Sequence, residues 1–276
     1  MSHLKKSMIF YLQLAISFVA GGLFIALQSL IGERVPVLWR GLVLTIPTTI
    51  GMGLLFVGMT KSPLDVVHAT TIIPASVAIS YLFGVVFAAF SSRGLAIGVG
   101  TGLAAWALCA SLFLRFPPQN FATSLFLYGL PLLFACYFWV RKMPQVHTLK
   151  AFPINAKNIL YRALLGGSMV TLAVVLAKTM GNLWGGMFSA FPASTISTLS
   201  IYYVMQGQKV IPAVMRTCFF PGFFGFIVYT WIASLTFPPF GIWIGTLLAY
   251  AATFLFFALY SLISKRLLRF RPDLIQ

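Results

Sequence analysis

Nine apolar stretches, each close to the length of a bilayer crossing and separated by short turns, take up most of this sequence. A helical crossing needs about 20 predominantly apolar residues. In hydrocarbon it must be a helix, because each backbone N–H and C=O has to be satisfied without water. Breaks at charges, proline pairs and glycine clusters place the stretches at about residues 8–31, 37–60, 65–90, 94–115, 121–140, 158–179, 184–205, 210–236 and 241–263. The chain is therefore expected to be an all-α polytopic membrane protein. Only 8% of its 276 residues are charged, against roughly 25% in soluble domains, so no aqueous domain of useful size is left. The fifth stretch, from Phe121 to Val140, is interrupted by Gly129 and Pro131. Whether it crosses decides the relative orientation of everything before and after it.

A net charge of +16 would suggest a nucleic-acid partner in a soluble protein, but that footprint needs a basic face on a folded aqueous domain. Here the basic residues sit at the ends of apolar stretches, where Lys and Arg favour the cytoplasmic headgroups. The expected partner is the lipid bilayer, and no nucleic acid. With nine crossings and the C-terminus inside, fourteen Lys and Arg fall on the cytoplasmic side and five (Lys5, Lys6, Lys61, Arg115 and Lys178) on the other. The expectation is a multi-pass protein of the bacterial cytoplasmic membrane, N-terminus outside and C-terminus inside. Lys5 and Lys6 before an apolar run resemble a signal peptide, but Met8–Ile31 is too long for one and is read as the first span. Cys109, Cys136 and Cys218 each lie within an apolar stretch and match neither a disulfide framework nor a metal-ligand spacing. No metal or cofactor is expected.

Comparing the chain with itself gives a second constraint. Trp39-Arg-Gly-Leu-Val-Leu-Thr-Ile-Pro47 recurs as Trp184-Gly-Gly-Met-Phe-Ser-Ala-Phe-Pro192, Pro74-Ala-Ser as Pro221-Gly-Phe, and Gly100-Thr-Gly-Leu-Ala as Gly245-Thr-Leu-Leu-Ala, in the same order. The expected organisation is a first four-span repeat (1–116), a connector span with a basic loop (117–157) and a second four-span repeat with a basic tail (158–276). A single connector crossing inverts the second repeat. Inverted repeats are a recurrent transporter architecture, with substrate sites near the midplane at the repeat interface.

The second repeat, from about Leu160 to Ile263, resembles the GlpM-like family of small inner-membrane proteins, which are single four-span units. The likeness is carried by Leu176-Ala-Lys-Thr179, Gly186-Met-Phe-Ser-Ala-Phe-Pro192, Tyr202 or Tyr203, Arg216-Thr and Ile227-Val-Tyr229. The first repeat follows it more weakly, through Ile46-Pro-Thr48 and His68-Ala-Thr-Thr-Ile-Ile73, with His68 where the family has Arg. The resemblance implies duplication of a four-span unit and brings no biochemical activity with it. In architecture alone the chain is also similar to fused fluoride channels, through Ser194-Thr-Ile-Ser-Thr198 and the run Phe219–Phe226.

Few residues can carry chemistry. Glu33, Asp65 and Asp273 are the only acids, all at span ends or in the tail. Cation-coupled transporters commonly place a carboxylate within a span, so the chain points to a neutral or anionic solute. Pro47 and Pro192 interrupt stretches two and seven, each followed by hydroxyls: Thr48 and Thr49 in one, Ser194 and Thr195 in the other. A proline removes a backbone donor and strands a carbonyl, and broken backbone at membrane depth is tolerated where it lines a cavity. A packing kink with hydroxyls bonded back to the helix is the plainer reading. Arg216 lies several residues into an apolar stretch, and either snorkels to the headgroups or contacts an anion. His68 is a further candidate, with Asp65 one turn away. The glycine pairs Gly21-Gly22 and Gly166-Gly167 suit close helix packing. No HExxH, GxSxG, Walker or paired-carboxylate spacing occurs, so the chain is not expected to be an enzyme. The leading expectation is a transporter or translocator of a small neutral or anionic solute, or of a lipid-linked anion. Its alternatives are an accessory membrane subunit with a partner in envelope polysaccharide assembly, and a passive anion channel.

Overall fold

A computed structural model describes residues 3–34, 43, 45–143 and 155–270. Helices carry nearly all of this chain, and no strand occurs among the described residues. They are α1 (His3–Arg34), α2 (Thr48–Thr60), α3 (Pro63–Thr70), α4 (Ile73–Phe90), α5 (Leu95–Arg115), α6 (Phe121–Lys142), α7 (Ala156–Thr179), α8 (Asn182–Ser189) and α9 (Ala193–Gln206). A final run, Ile211–Phe270, breaks at Gly241 into α10 (211–240) and α11 (242–270). Six helical segments are long and apolar enough to cross a bilayer, among them Phe219–Ile263, whose 45 residues include the Gly241 break. Large apolar side chains such as Leu108, Val204 and Leu247 are at least 70% exposed on the outside of the bundle. Hydrocarbon, not water, is the solvent that such a surface requires. This is an all-α membrane protein.

Several expected stretches are continuous helices with nearly the expected ends, including 94–115 and 158–179. The fifth is also one helix, and its Pro131 is absorbed by a π-helical turn over Ser124–Gly129 that relaxes the hydrogen-bond ladder just ahead of the proline. Ser124 uses its hydroxyl to accept the Ala75 N–H at the start of α4, 3.2 Å away. Other stretches are divided. Residues 65–90 form α3 and α4, turning at Thr71 and Ile72 ahead of Pro74. Residues 184–205 form α8 and α9, broken at 190–192. In stretch 37–60 helix α2 begins only after Pro47, and the Trp39 end of that repeat element lies outside the described residues. Glycines with positive φ, Gly94 (124°) and Gly241 (74°), precede α5 and α11. Counted from them, Gly94-Leu-Ala-Ile-Gly98 pairs with Gly241-Ile-Trp-Ile-Gly245, two residues away from the Gly100 pairing that the sequence suggests.

Helices α1 and α7 cross on their glycine pairs. A Cβ on Gly22 would meet the Ala163 carbonyl oxygen, and one on Gly167 the Phe18 carbonyl oxygen; Gly21 abuts Val170, and Gly166 abuts Ile25. Phe18 and Ala163, Gly22 and Gly167, and Ile25 and Val170 are the same distance apart along the chain as Pro47 and Pro192. Each contact is thus returned by its counterpart. Ser17 and Thr171 share a hydrogen bond (3.3 Å), and Lys178 lies 3.3 Å over the Phe10 ring. Partners on α7 fall in number as those on α1 rise, so the two helices run antiparallel.

At one end of the bundle a short polar network ties α2, α3 and α8 together. Ser62 caps α3 by accepting the Asp65 N–H and donating its hydroxyl to the Asp65 carboxylate (2.7 Å). Asn182, at the start of α8, donates to the other carboxylate oxygen (2.7 Å) and accepts from Lys61 (2.6 Å). The Ser62 and Asn182 hydrogen bonds hold the Asp65 carboxyl below the usual aspartate range, because they stabilise its charged form.

Candidate functional site

The two proline breaks share one backbone geometry. Pro47 (φ −75°, ψ 58°) and Pro192 (φ −76°, ψ 42°) each precede a helix. The residue after each proline donates its N–H to the carbonyl before it, Thr48 to Ile46 (2.7 Å) and Ala193 to Phe191 (2.8 Å). These are inverse γ-turns, and proline suits them because its ring fixes φ and its missing N–H leaves nothing unsatisfied. Intrahelical bonding then begins at Gly51, donating to Pro47, and at Ile196, donating to Pro192, both at 2.8 Å.

Both breaks open onto the same small cavity. One lobe of about 40 Å³ touches Thr48, Thr49 and Ile50 from the start of α2, and Pro192, Ser194 and Thr195 from the start of α9. A second lobe of about 70 Å³ is lined by Thr45, Tyr81, Thr198 and Met215. Ser80, Ser194, Thr195 and Phe226 line both lobes. Among the described residues no charged side chain lines either one.

The carbonyls that each break exposes are covered by side chains. Gln28 of α1 donates to Val43 O and Ile46 O, both at 2.9 Å, and its own carbonyl accepts the Thr48 hydroxyl at 2.5 Å. At the other break Ser76 donates to Met187 O (2.8 Å) and Ser80 to Ala190 O (2.7 Å). These serines lie one turn apart on the buried face of α4 and reach across to the second half of the chain. Trp106 of α5 packs edge-on against Phe188 and Phe191, with ring centroids 5.3 and 4.9 Å away, and so braces the second break from its other side.

Of the residues singled out in the sequence, Thr48, Thr49, Pro192, Ser194 and Thr195 meet at this cavity. Pro47 is buried beside it, with its carbonyl 3.4 Å from the Tyr250 hydroxyl. Arg216 does not line it. Its guanidinium donates to Val140 O (2.7 Å), Arg141 O (3.1 Å) and Met143 O (2.6 Å), closing the last turn of α6, where a cation also complements the helix dipole. His68 is exposed on α3 and is likewise outside the cavity. Gln28, Ser80 and Tyr81 escaped the sequence reading, whereas Phe226 ends the Phe219–Phe226 run noted there. A lone Gln within an apolar span was the available signal for the first, and serines spaced i, i+4 in α4 for the second.

Comparison with protein-family models, curated proteins and solved structures yields no match to this chain.

Proposed function

We propose that this chain is a transporter or translocator for a small solute, built from two inverted four-span repeats around a connector helix, with the substrate held in the cavity between the Pro47 and Pro192 breaks. The observation that carries the reading is the convergence of two equivalent, uncapped helix starts on one cavity. Discontinuous helices whose ends meet at a repeat interface are how many secondary transporters build a site without a soluble pocket. The returned contacts of the α1–α7 crossing support inversion. Two equivalent helices that run antiparallel and exchange contacts are related by a twofold axis perpendicular to both, which for membrane-spanning helices lies in the membrane plane. A cavity this small favours a compact solute over a lipid-linked one. In this reading the GlpM-like four-span unit is the ancestor of each half, the protein sits in a bacterial inner membrane, and its N-terminus is outside.

Reconstitution of the full chain in proteoliposomes tests this directly. Saturable uptake from a panel of small neutral and anionic solutes is expected, and Thr195→Phe, which fills the cavity, should abolish it. A panel that gives no saturable uptake sinks the transport reading, and uptake linear in concentration replaces it with a passive channel. Inversion has its own check: reporters fused after Leu114, after residue 150 and at Gln276 should read outside, inside and inside. The same side for the first two would make the halves parallel.

A further inference from the structure

The cavity differs from an ordinary kink in which of its backbone groups are left open. Thr49 and Ile50 are the second and third residues of α2, and Ser194 and Thr195 those of α9, so their four N–H groups precede the first intrahelical bond of each helix. An N-cap side chain normally accepts from these positions. Here both N-caps are proline, and neither supplies an acceptor. All four residues line the same lobe. The carbonyls of the breaks, in contrast, are covered: Gln28 covers Val43 and Ile46, and Ser76 and Ser80 cover Met187 and Ala190. What remains open at the site is a set of donors.

Two side chains point to the same ligand chemistry independently. Thr49 and Thr198 are only 7% and 8% exposed, both line the cavity, and neither hydroxyl has a hydrogen-bond partner among the described residues. A hydroxyl that opens only onto the cavity can donate to whatever occupies the space. Each helix start carries roughly half a positive charge, so two of them together balance about one negative charge. Among the described residues a cation would find no carboxylate and few free carbonyls. Lobes of about 70 and 40 Å³ hold only a few groups of water size, each needing about 10–15 Å³, which favours a compact ligand over a headgroup or a sugar phosphate.

We propose that this cavity binds one small monovalent anion of halide, nitrate or formate size, held between the starts of α2 and α9 by their free amides and by the hydroxyls of Thr49 and Thr198. That this anion is the transported solute rests on the transport reading above; that it binds does not.

The test titrates the detergent-solubilised full chain with chloride, nitrate, thiocyanate and formate, with gluconate holding ionic strength constant and sulfate and glycerol as comparators. Thermal unfolding is the readout, and proteoliposome uptake is measured in parallel. At least one monovalent anion should raise the unfolding midpoint saturably, while sulfate and glycerol should not. Thr49→Val and Thr198→Val keep the side-chain shape and should each weaken that anion about tenfold, the equivalent of one hydrogen bond. Thr49→Asp places a tethered carboxylate at the start of α2; it should raise the midpoint without added anion and remove the dependence on anion. Equal responses to sulfate or glycerol, or unchanged affinity in both valine variants, overturn the proposal. Saturable uptake of a neutral solute without anion binding overturns it and leaves transport standing. Anion binding without uptake of any solute supports it and removes transport.

Discussion

The breaks at Pro47 and Pro192 are alike in backbone and unlike in support. Both are inverse γ-turns that start a helix with no side-chain cap. The first is served by Gln28, from a helix of its own half, whose amide satisfies two carbonyls while its oxygen holds the Thr48 hydroxyl, and by the Tyr250 hydroxyl of α11, which donates to Pro47 O. The second is served by two serines from α4, in the opposite half, and is braced by Trp106 from α5. The two breaks share the geometry that exposes the amides and differ in what covers their carbonyls. The pattern separates what the site requires from what merely makes the break tolerable in lipid.

If that division holds, the two breaks should respond unequally to loss of support. Gln28→Leu strips the first break of the three Gln28 hydrogen bonds at once. It should lower unfolding stability in detergent by about 3 kcal/mol, since each buried polar group left unmet costs about 1–3 kcal/mol. Next in size are Gly22→Ala and Gly167→Ala, which drive a methyl group into the Ala163 and Phe18 carbonyl oxygens. Each should cost about 2 kcal/mol, in the range of overpacking, and the two should match, because the crossing is the part of the comparison in which the halves are equivalent. Very different losses would show that the symmetry of the crossing is only apparent.

Ser80→Ala should cost about 1 kcal/mol, leaving Ala190 O unmet while Ser76 still holds Met187. A loss as large as that of Gln28→Leu would erase the proposed asymmetry. The smallest effect belongs to the Lys61–Asn182–Asp65 network that joins the end of α2 to the start of α8. Folding lowers the Asp65 pKa, so its contribution is complete above the unfolded value of about 3.9 and fades as pH falls through the lower folded value. Acid titration should therefore reveal a slight extra loss of stability in the parent that Asp65→Asn lacks.

Much of this was legible in the chain. The paired Pro-hydroxyl elements located Thr48, Thr49, Ser194 and Thr195, because a proline lacks the N–H of the helix ladder and suits a helix start, although Pro131 and Pro221 stay inside continuous helices. The glycine pairs at 21–22 and 166–167 announced a close crossing for an equally local reason. Arg216 was not legible in the same way. An arginine within an apolar stretch has to find partners, but whether these are an anion, headgroups or the last carbonyls of a helix depends on what packs beside it. That neighbour, α6, lies far away in sequence. Ser76 and Ser80 look like ordinary spacing within α4 until Met187 and Ala190 are set against them.

By itself the sequence determined that this chain spans a membrane as helices, that two of its stretches break at Pro47 and Pro192, and that no carboxylate lies within the apolar spans. These follow from apolar length, from proline's missing donor and from composition, and none depends on a distant residue. Only the tertiary structure decided that the two breaks open onto a common cavity, that their carbonyls are covered while their amides are not, and that Arg216 caps a helix elsewhere. Hydrogen-bond partners across the bundle are set by which helices touch, and that is a property of packing, not of any one stretch of chain.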